Sequence, residues 1–160
     1  MSKKLVAYFS CGGDTGAAAK QLAKAADADL FAIKPAVPYT DADLDWRDKN
    51  SRSSVEMRTL ARPEIADRVD NMDEYDVVFV GFPIWWYLAP TIINAFLASY
   101  DFSGKTVVPF ATSGGSDMRK AEAVLKPLCS PQTVWKDGKL IDGNATADDL
   151  RDWVKELNIL

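Results

Sequence analysis

The stretch VVFVGFPIWWYLAP, residues 77–90, decides the fold. Its first half is a continuous run of apolar β-formers rather than an alternation of apolar and polar residues. Such a run suits a strand covered on both faces, as in a parallel sheet under two layers of helices. Gly81-Phe82-Pro83 closes the run, and Trp85, Trp86 and Tyr87 follow where strand gives way to loop. Core packing is the ordinary use of a tryptophan. A use at a ligand requires that other unusual sequences reach the same end of the sheet.

Outward from this segment, strands and helices alternate. KLVAYFS (4–10) reads as a buried strand, GDTGAAAKQLAKAADA as a helix rich in Ala, Leu and Lys, and DLFAIKP (29–35) as a second strand stopped by Pro35. Residues 36–54 are polar and lack periodicity. SVEMRTLA and EIADRVDNM read as a helix interrupted or restarted at Pro63. APTIINAFLASY is helical, with Pro90 acceptable in a first turn. KTVVPFATS is a fourth strand and SDMRKAEAVLKPLC a helix; QTVWKDGKLI holds two short β-like runs about Asp137-Gly138. TADDLRDWVKEL closes the chain as an amphipathic helix capped by Thr146. The alternation implies one doubly wound α/β domain over residues 1–160, with right-handed crossovers and helices on both faces of a parallel sheet.

Composition narrows the chemistry. A chain of 160 residues with 48% hydrophobic and 26% charged content fits one globular domain. No apolar run reaches membrane-spanning length, and MSKKLVAYFS is basic without an extended apolar region or a cleavage site, so a cytoplasmic protein away from membranes is expected. Two cysteines, Cys11 and Cys129, form no C-x-x-C and no disulfide framework. The net charge of −4 argues against a nucleic-acid partner. The absence of histidine removes Ser-His and Cys-His nucleophile pairs and leaves carboxylates and cysteines as metal ligands, so neither a catalytic side-chain pair nor a metal site is expected. The chemistry is assigned to a bound cofactor.

Parallel topology brings three strand ends to one rim, where ligands of open α/β sheets bind. These ends are SCGGDTG (10–16), GFPIWWYLAP (81–90) and ATSGGSD (111–117). In the first, paired glycines let backbone N–H groups converge at a helix N-terminus, and Ser10 and Thr15 add hydroxyls: a phosphate cradle without a lysine, equally readable as a plain tight turn. A Walker A loop requires Gly-Lys-Ser/Thr, but Ala17 follows Gly16. A cysteine-phosphatase loop requires an arginine six residues after Cys11, and that position is Ala17 again. Cys11 is therefore read as a small residue lending its N–H. Together the three loops suit a phosphorylated ligand with a flat ring: indoles to stack on it, and Thr112–Gly115 to meet a polar ring edge.

YFSCGGDTG, GFPIWWYLAP, YDFSGKTVVPFATSGGS and the preceding PAVPYTDADLDW resemble the flavodoxin family, and within it a bacterial branch of short flavodoxin-like proteins. The resemblance spans nearly the whole chain, with three separated motifs agreeing in order and spacing. It implies a flavodoxin-like five-stranded sheet in the order 2-1-3-4-5 and a non-covalent FMN. By the resemblance Ser10, Cys11, Gly12, Gly13, Asp14 and Thr15 would bind the phosphate, Pro83, Ile84, Trp85, Trp86 and Tyr87 would line the isoalloxazine, and Thr112, Ser113, Gly114 and Gly115 would meet its polar edge. Trp85 matches the family's stacking aromatic best. The cradle departs from the family's Thr-Gly-Asn-Thr at Gly12, which lacks a hydroxyl, and at Asp14, which puts a carboxylate in place of an amide.

The resemblance implies a one-electron carrier that serves redox partner proteins, with the protein tuning the flavin through stacking and hydrogen bonds. An FMN-dependent NAD(P)H oxidoreductase acting on quinones or nitro compounds is the alternative, and a non-redox module that has lost FMN is a third. Trp46, Arg47 and Arg52 lie in an excursion long enough to reach the rim as a lid, or to be an ordinary surface connection.

Overall fold

The structure, a computed structural model, describes residues 3–11, 13–112 and 118–159. Five consecutive strands, β1 (Lys4–Tyr8), β2 (Asp29–Ala32), β3 (Val77–Pro83), β4 (Thr106–Thr112) and β5 (Val134–Trp135), form a sheet in the order β2-β1-β3-β4-β5. Every pairing in it is parallel. A further short strand, β6 (Lys139–Leu140), also pairs with β4, at Phe110 and Ala111, while β5 pairs with it lower down at Thr106 and Val107. The two β-like runs about Asp137-Gly138 are thus successive pieces of one edge. Gly138 sits where an added Cβ would lie 2.7 Å from the Pro109 carbonyl oxygen, so the chain can pass this close only without a side chain.

Five helices accompany the strands: α1 (Asp14–Ala26), α2 (Arg52–Thr59), α3 (Thr91–Ala98), α4 (Arg119–Leu125) and α5 (Ala147–Glu156). Alternate residues of each central strand point to opposite faces. Leu5 and Ala7, Val78, Val80 and Phe82, and Val107 and Ala111 share one apolar cluster with Ile92, Ile93, Phe96 and Leu97 of α3 and with Ala121 and Leu125 of α4. Val6, Val77, Phe79, Val108 and Phe110 join the other with Ala18, Ala19, Leu22 and Ala26 of α1 and with Leu150 and Val154 of α5. This two-sided cover is why the strands read as unbroken apolar runs. Helix α5 starts in a capping box: Thr146 Oγ1 accepts from the Asp149 N–H, and Asp149 Oδ2 accepts from the Thr146 N–H.

One element departs from the sequence reading. Residues 64–72 are not a restarted helix. Helix α2 ends in the left-handed Leu60, and after Pro63 the chain runs extended: Ile65 bridges antiparallel to Pro35, with Ala36 N–H bonded to Glu64 O at 2.8 Å and Ala66 N–H to Lys34 O at 2.8 Å. The Tyr100 hydroxyl then accepts from the Val69 N–H at 2.9 Å. Ile65, Val69 and Met72 have helical spacing, yet they serve as separate anchors of a strap whose backbone groups bond outward. A single 3-10 turn, Met72–Glu74, leads into β3.

Gly81 in β3 pairs with Phe110 of β4, and an added Cβ there would fall 2.1 Å from Phe110 Cζ and 2.4 Å from Cε2. The fully buried Phe110 ring lies across the glycine, which explains why the apolar run carries one. Gly81→Ala is expected to destabilise the protein by about 1–3 kcal/mol through overpacking. Urea unfolding would show a lower midpoint with an unchanged m-value; an unshifted midpoint would mean that Phe110 moves aside freely.

Candidate functional site

The chain leaves β1 to one side for β2 and returns to the other side for β3, so the strand order reverses between β1 and β3. The crevice beyond their carboxyl ends is the switch point where open α/β sheets take ligands. Among the described residues, the first loop, the second loop and Thr112 at the start of the third meet there.

The first loop turns into α1 through Gly13, whose φ of 93° is a left-handed value that glycine adopts without strain. The N-cap residue is this glycine, so it has no side chain with which to cap the helix. Ser10 Oγ accepts from the Gly16 N–H at 3.1 Å, folding the loop back on itself, and Ala17 N–H bonds Gly13 O at 2.9 Å. Among the described residues the N–H groups of Asp14 and Thr15 donate to no partner. Thr15, 2% exposed, instead uses its side chain: Thr15 Oγ1 lies 2.6 Å from Thr112 Oγ1 at the end of β4. That bond reaches across β3 and ties the first loop to the third.

The second loop is a closed two-residue turn. Trp85 N–H bonds Leu88 O at 2.8 Å and Leu88 N–H bonds Trp85 O at 2.9 Å, with Trp86 and Tyr87 at φ 48° and 68°. Turns of this geometry ordinarily carry Asn-Gly, because each non-glycine residue held left-handed costs about 1–3 kcal/mol. Here two large aromatics hold it. Trp85 packs edge-on against Phe9 (centroids 5.9 Å, interplanar 84°) and Tyr39 (5.8 Å, 83°).

Cys11, Asp14, Thr15, Pro83, Ile84, Trp85 and Thr112 line one cavity of about 720 Å3, together with Leu140 of β6 and residues 141–143 after it. Its volume falls within the range of about 300–1,000 Å3 usual for small-molecule sites. Ser10 and Gly13 line an adjoining cavity of about 610 Å3 with Lys20 and Lys34. Trp86 and Tyr87 stand on the outer side of the turn: Trp86 lines a separate cavity with Trp46, and the Tyr87 ring lies 5.0 Å from Lys120 Nζ. Gly12, Ser113, Gly114 and Gly115 lie outside the described residues.

A phosphorylated flavin is tested against this cavity by its donors and walls. The uncapped α1 N-terminus offers N–H groups to an anion, the Thr15 and Thr112 hydroxyls add polar contacts, and Pro83, Ile84, Trp85, Leu140 and Ile141 give apolar walls. Asp14 and Asp142 oppose an anion; an added Cβ on Gly143 would lie 3.0 Å from Asp14 Oδ1, so the Asp14 carboxylate leans on the loop after β6. Donors and walls fit the group, with a carboxylate pair weakening the phosphate end. Cys11 is exposed, and desolvation of its thiol pushes the pKa up to about 11, so it stays protonated near neutral pH and is no activated nucleophile.

Two contributors were not legible from the motifs. Tyr39 reaches the rim from the long excursion, and its hydroxyl donates to Glu56 Oε1. The Arg52 guanidinium sits 3.9 Å from the Tyr39 ring centroid, pairs with Glu56 Oε2 at 3.1 Å and donates to Val37 O at 2.7 Å. Burial, and then Glu56, hold the Tyr39 phenol protonated well above its ordinary range. Arg52 therefore acts as a latch from beneath, while Arg47 lies over the Trp46 ring at 5.4 Å. Leu140–Gly143 is the second contributor. In a parallel sheet every strand ends on one rim, so DG at the end of LIDG was the available signal.

The chain matches the flavodoxin family over residues 3–157. It is similar along 100% of both chains to a candidate flavoprotein from Bacteroides eggerthii, at 49% identity and a TM-score of 0.93. A flavoprotein in complex with FMN from Lactobacillus acidophilus shares the fold at 21% identity, a TM-score of 0.69, and coverage of 97% of this chain and 99% of that one. Oxidised flavodoxin 2 from Bacillus cereus does so at 13% identity, a TM-score of 0.54 and 98% of each chain. No curated protein matches the sequence. With the family matched over nearly its whole length and the sheet in the order 2-1-3-4-5, this chain belongs to the flavodoxin family.

Proposed function

We propose that the chain binds FMN non-covalently and works as an electron carrier between redox partner proteins, as one cytoplasmic domain spanning residues 1–160. The observation that carries this reading is a single cavity at the switch point that joins an uncapped helix N-terminus to the Trp85 wall. Ser10–Thr15 would hold the phosphate, Pro83–Trp85 one side of the ring with Trp86 and Tyr87 forming the turn behind them, and Thr112–Gly115 the polar ring edge. Bound FMN would supply reversible one- and two-electron transfer. The chain's own residues orient and shield it: the Tyr39–Glu56–Arg52 latch fixes Trp85 from its edge, and the Thr15–Thr112 bond sets the spacing between phosphate and ring contacts. The Lactobacillus acidophilus flavoprotein, of like fold, is an FMN complex. Among the described residues no helix is long and apolar enough to cross a membrane.

A reductase of quinones or nitro compounds is the rival reading, and the flavodoxin family match does not separate it from a carrier. Steady-state oxidation of NAD(P)H with a quinone separates the two. Turnover by the purified protein makes it a reductase, while relay that requires a separate reductase makes it a carrier. Colourless protein that takes up no FMN would overturn both.

Trp85→Ala is expected to remove a stack worth roughly 0.5–1.5 kcal/mol beyond its buried area and to weaken FMN about tenfold, with Trp85→Phe recovering most of the loss. An unchanged affinity and flavin spectrum in Trp85→Ala would make Trp85 a packing residue.

Asp14→Asn removes a cavity carboxylate beside the phosphate loop. At about 6 Å and an effective dielectric near 80, one charge pair costs roughly 0.7 kcal/mol, doubled for a dianion. FMN should bind about three- to tenfold tighter to the variant at low salt, and the gain should shrink at high salt. Equal or weaker binding in titrations at both salts would mean that the carboxylate holds the loop in shape.

The two thiols make an internal control, since Cys11 and Cys129 are both raised to about 11 by desolvation. Each is roughly a thousandth ionised at pH 8, and alkylation of both should speed up about tenfold per pH unit until near pH 11. Saturating FMN should slow iodoacetamide at Cys11 about tenfold relative to Cys129, as read by peptide mass spectrometry. Equal rates at the two sites with and without FMN would place the ligand away from Cys11.

A further inference from the structure

Across the Trp86–Tyr87 turn from the proposed flavin site lies a cavity of about 320 Å3, lined chiefly by Trp46, Lys49, Met57, Arg58, Trp86 and Leu88. Two features set it apart from ordinary surface. Trp46 and Trp86 remain 66% and 45% exposed, and Trp86 is displayed there by a left-handed backbone that an Asn-Gly turn would adopt at lower cost. Strain held at a ligand-sized hollow points to function. The cavity is also cationic, in a chain of net charge −4. Lys49 and Arg58 both line it, Arg58 Nη1 donates to the Lys49 backbone carbonyl at 3.0 Å, and neither side chain forms an ion pair among the described residues. Arg47, beside the lining rather than in it, lies over the Trp46 ring at 5.4 Å. The nearest acids along the chain are engaged elsewhere: Asp45 Oδ1 accepts from Arg47 N–H at 3.1 Å, Asp48 Oδ1 from Asn50 N–H at 2.9 Å, and Glu56 is held by Tyr39 and Arg52.

We propose that this cavity binds a small planar aromatic carboxylate, its ring against Trp46 and Trp86 and its carboxylate at Lys49 and Arg58. A neutral ring would leave both cations unused. A volume at the lower end of the small-molecule range, about 300 Å3, suits one or two fused rings rather than a peptide segment. The Met57 and Leu88 side chains offer the apolar floor that such a ring requires, and the guanidinium plane of Arg58 can meet a carboxylate with two donors. The site does not rest on the FMN reading, because its walls belong to the outer flank of the turn.

The test is calorimetric and NMR titration of the full chain with 2-naphthoate and, as the neutral control, 2-naphthalenemethanol, each with and without saturating FMN. Saturable one-to-one naphthoate binding is expected, with the indole N–H signals of Trp46 and Trp86, assigned by Trp→Phe variants, shifting and those of Trp135 and Trp153 staying fixed. The double variant Lys49→Gln/Arg58→Gln should weaken naphthoate about tenfold or more while leaving the alcohol within about twofold. Absence of saturation, equal weakening of both probes, or competition with FMN would overturn the proposal. So would indole shifts that follow protein concentration without ligand, which would make the patch a contact between copies.

Discussion

Thr15 Oγ1 and Thr112 Oγ1, 2.6 Å apart and 97 residues apart in sequence, hold the rim together. One hydroxyl belongs to the first turn of α1, the other to the last residue of β4, and β3 lies between them in the sheet. Strand pairing aligns the three carboxyl ends, and packing of Ala18, Ala19 and Leu22 against the sheet fixes the body of α1. The hydroxyl pair adds a tie at its first turn. It points the α1 N-terminus over the end of β3, and so sets the uncapped N–H groups against the wall made by Pro83, Ile84 and Trp85. A neutral pair of this kind contributes only about 0.5–1.5 kcal/mol to stability. Its larger consequence is geometric, since it fixes the distance between an anion-binding end and an aromatic end.

The aromatic end depends on a different balance. A turn with Trp86 and Tyr87 both left-handed would unwind if nothing opposed it. Two reciprocal backbone bonds close it, and Trp85 is clamped on its edge by Phe9 from the end of β1 and Tyr39 from the excursion. Tyr39 is in turn fixed by Glu56 and covered by Arg52. The excursion therefore belongs to the site through one tyrosine, and its polar remainder is bound up in local turns such as the reciprocal Thr40–Asp43 bonds.

What could be read from the sequence followed from patterns with one physical cause. The unbroken apolar runs of β1, β3 and β4 required cover on both faces, and the clusters above and below the sheet supply it. The rim shared by those strand ends was legible because parallel topology leaves no choice of rim. Segment 64–72 was misread because helical spacing records where apolar side chains fall, not where backbone groups bond, and Lys34, Ala36 and Tyr100 offered this backbone outside partners. Tyr39 was hidden for a related reason: its partner Glu56 lies 17 residues on and on a helix, a pairing with no local signature. The separation of Trp85 from Trp86 was equally out of reach. It follows from a positive-φ turn at residues whose side chains normally forbid one.

The two cavities flanking that turn have opposite electrostatic character. The rim cavity carries Asp14 and Asp142, whereas the outer one carries Lys49 and Arg58. An anion at the rim must therefore gain more from the open α1 N-terminus, worth about 0.3–1 kcal/mol as a dipole effect plus charge-assisted bonds to its N–H groups, than it loses to two exposed carboxylates at roughly 0.7 kcal/mol per charge pair. A dianion facing both carboxylates would lose about 2.8 kcal/mol at that figure, so Asp14 and Asp142 would cancel a large part of what the N-terminus offers. In the proposed FMN site the ring wall built on Trp85 would therefore carry a larger share of the binding than beside an unopposed cradle. The strain in the turn fits that division: the structure spends conformational free energy where an aromatic surface is presented, and not in the loop that would meet the phosphate.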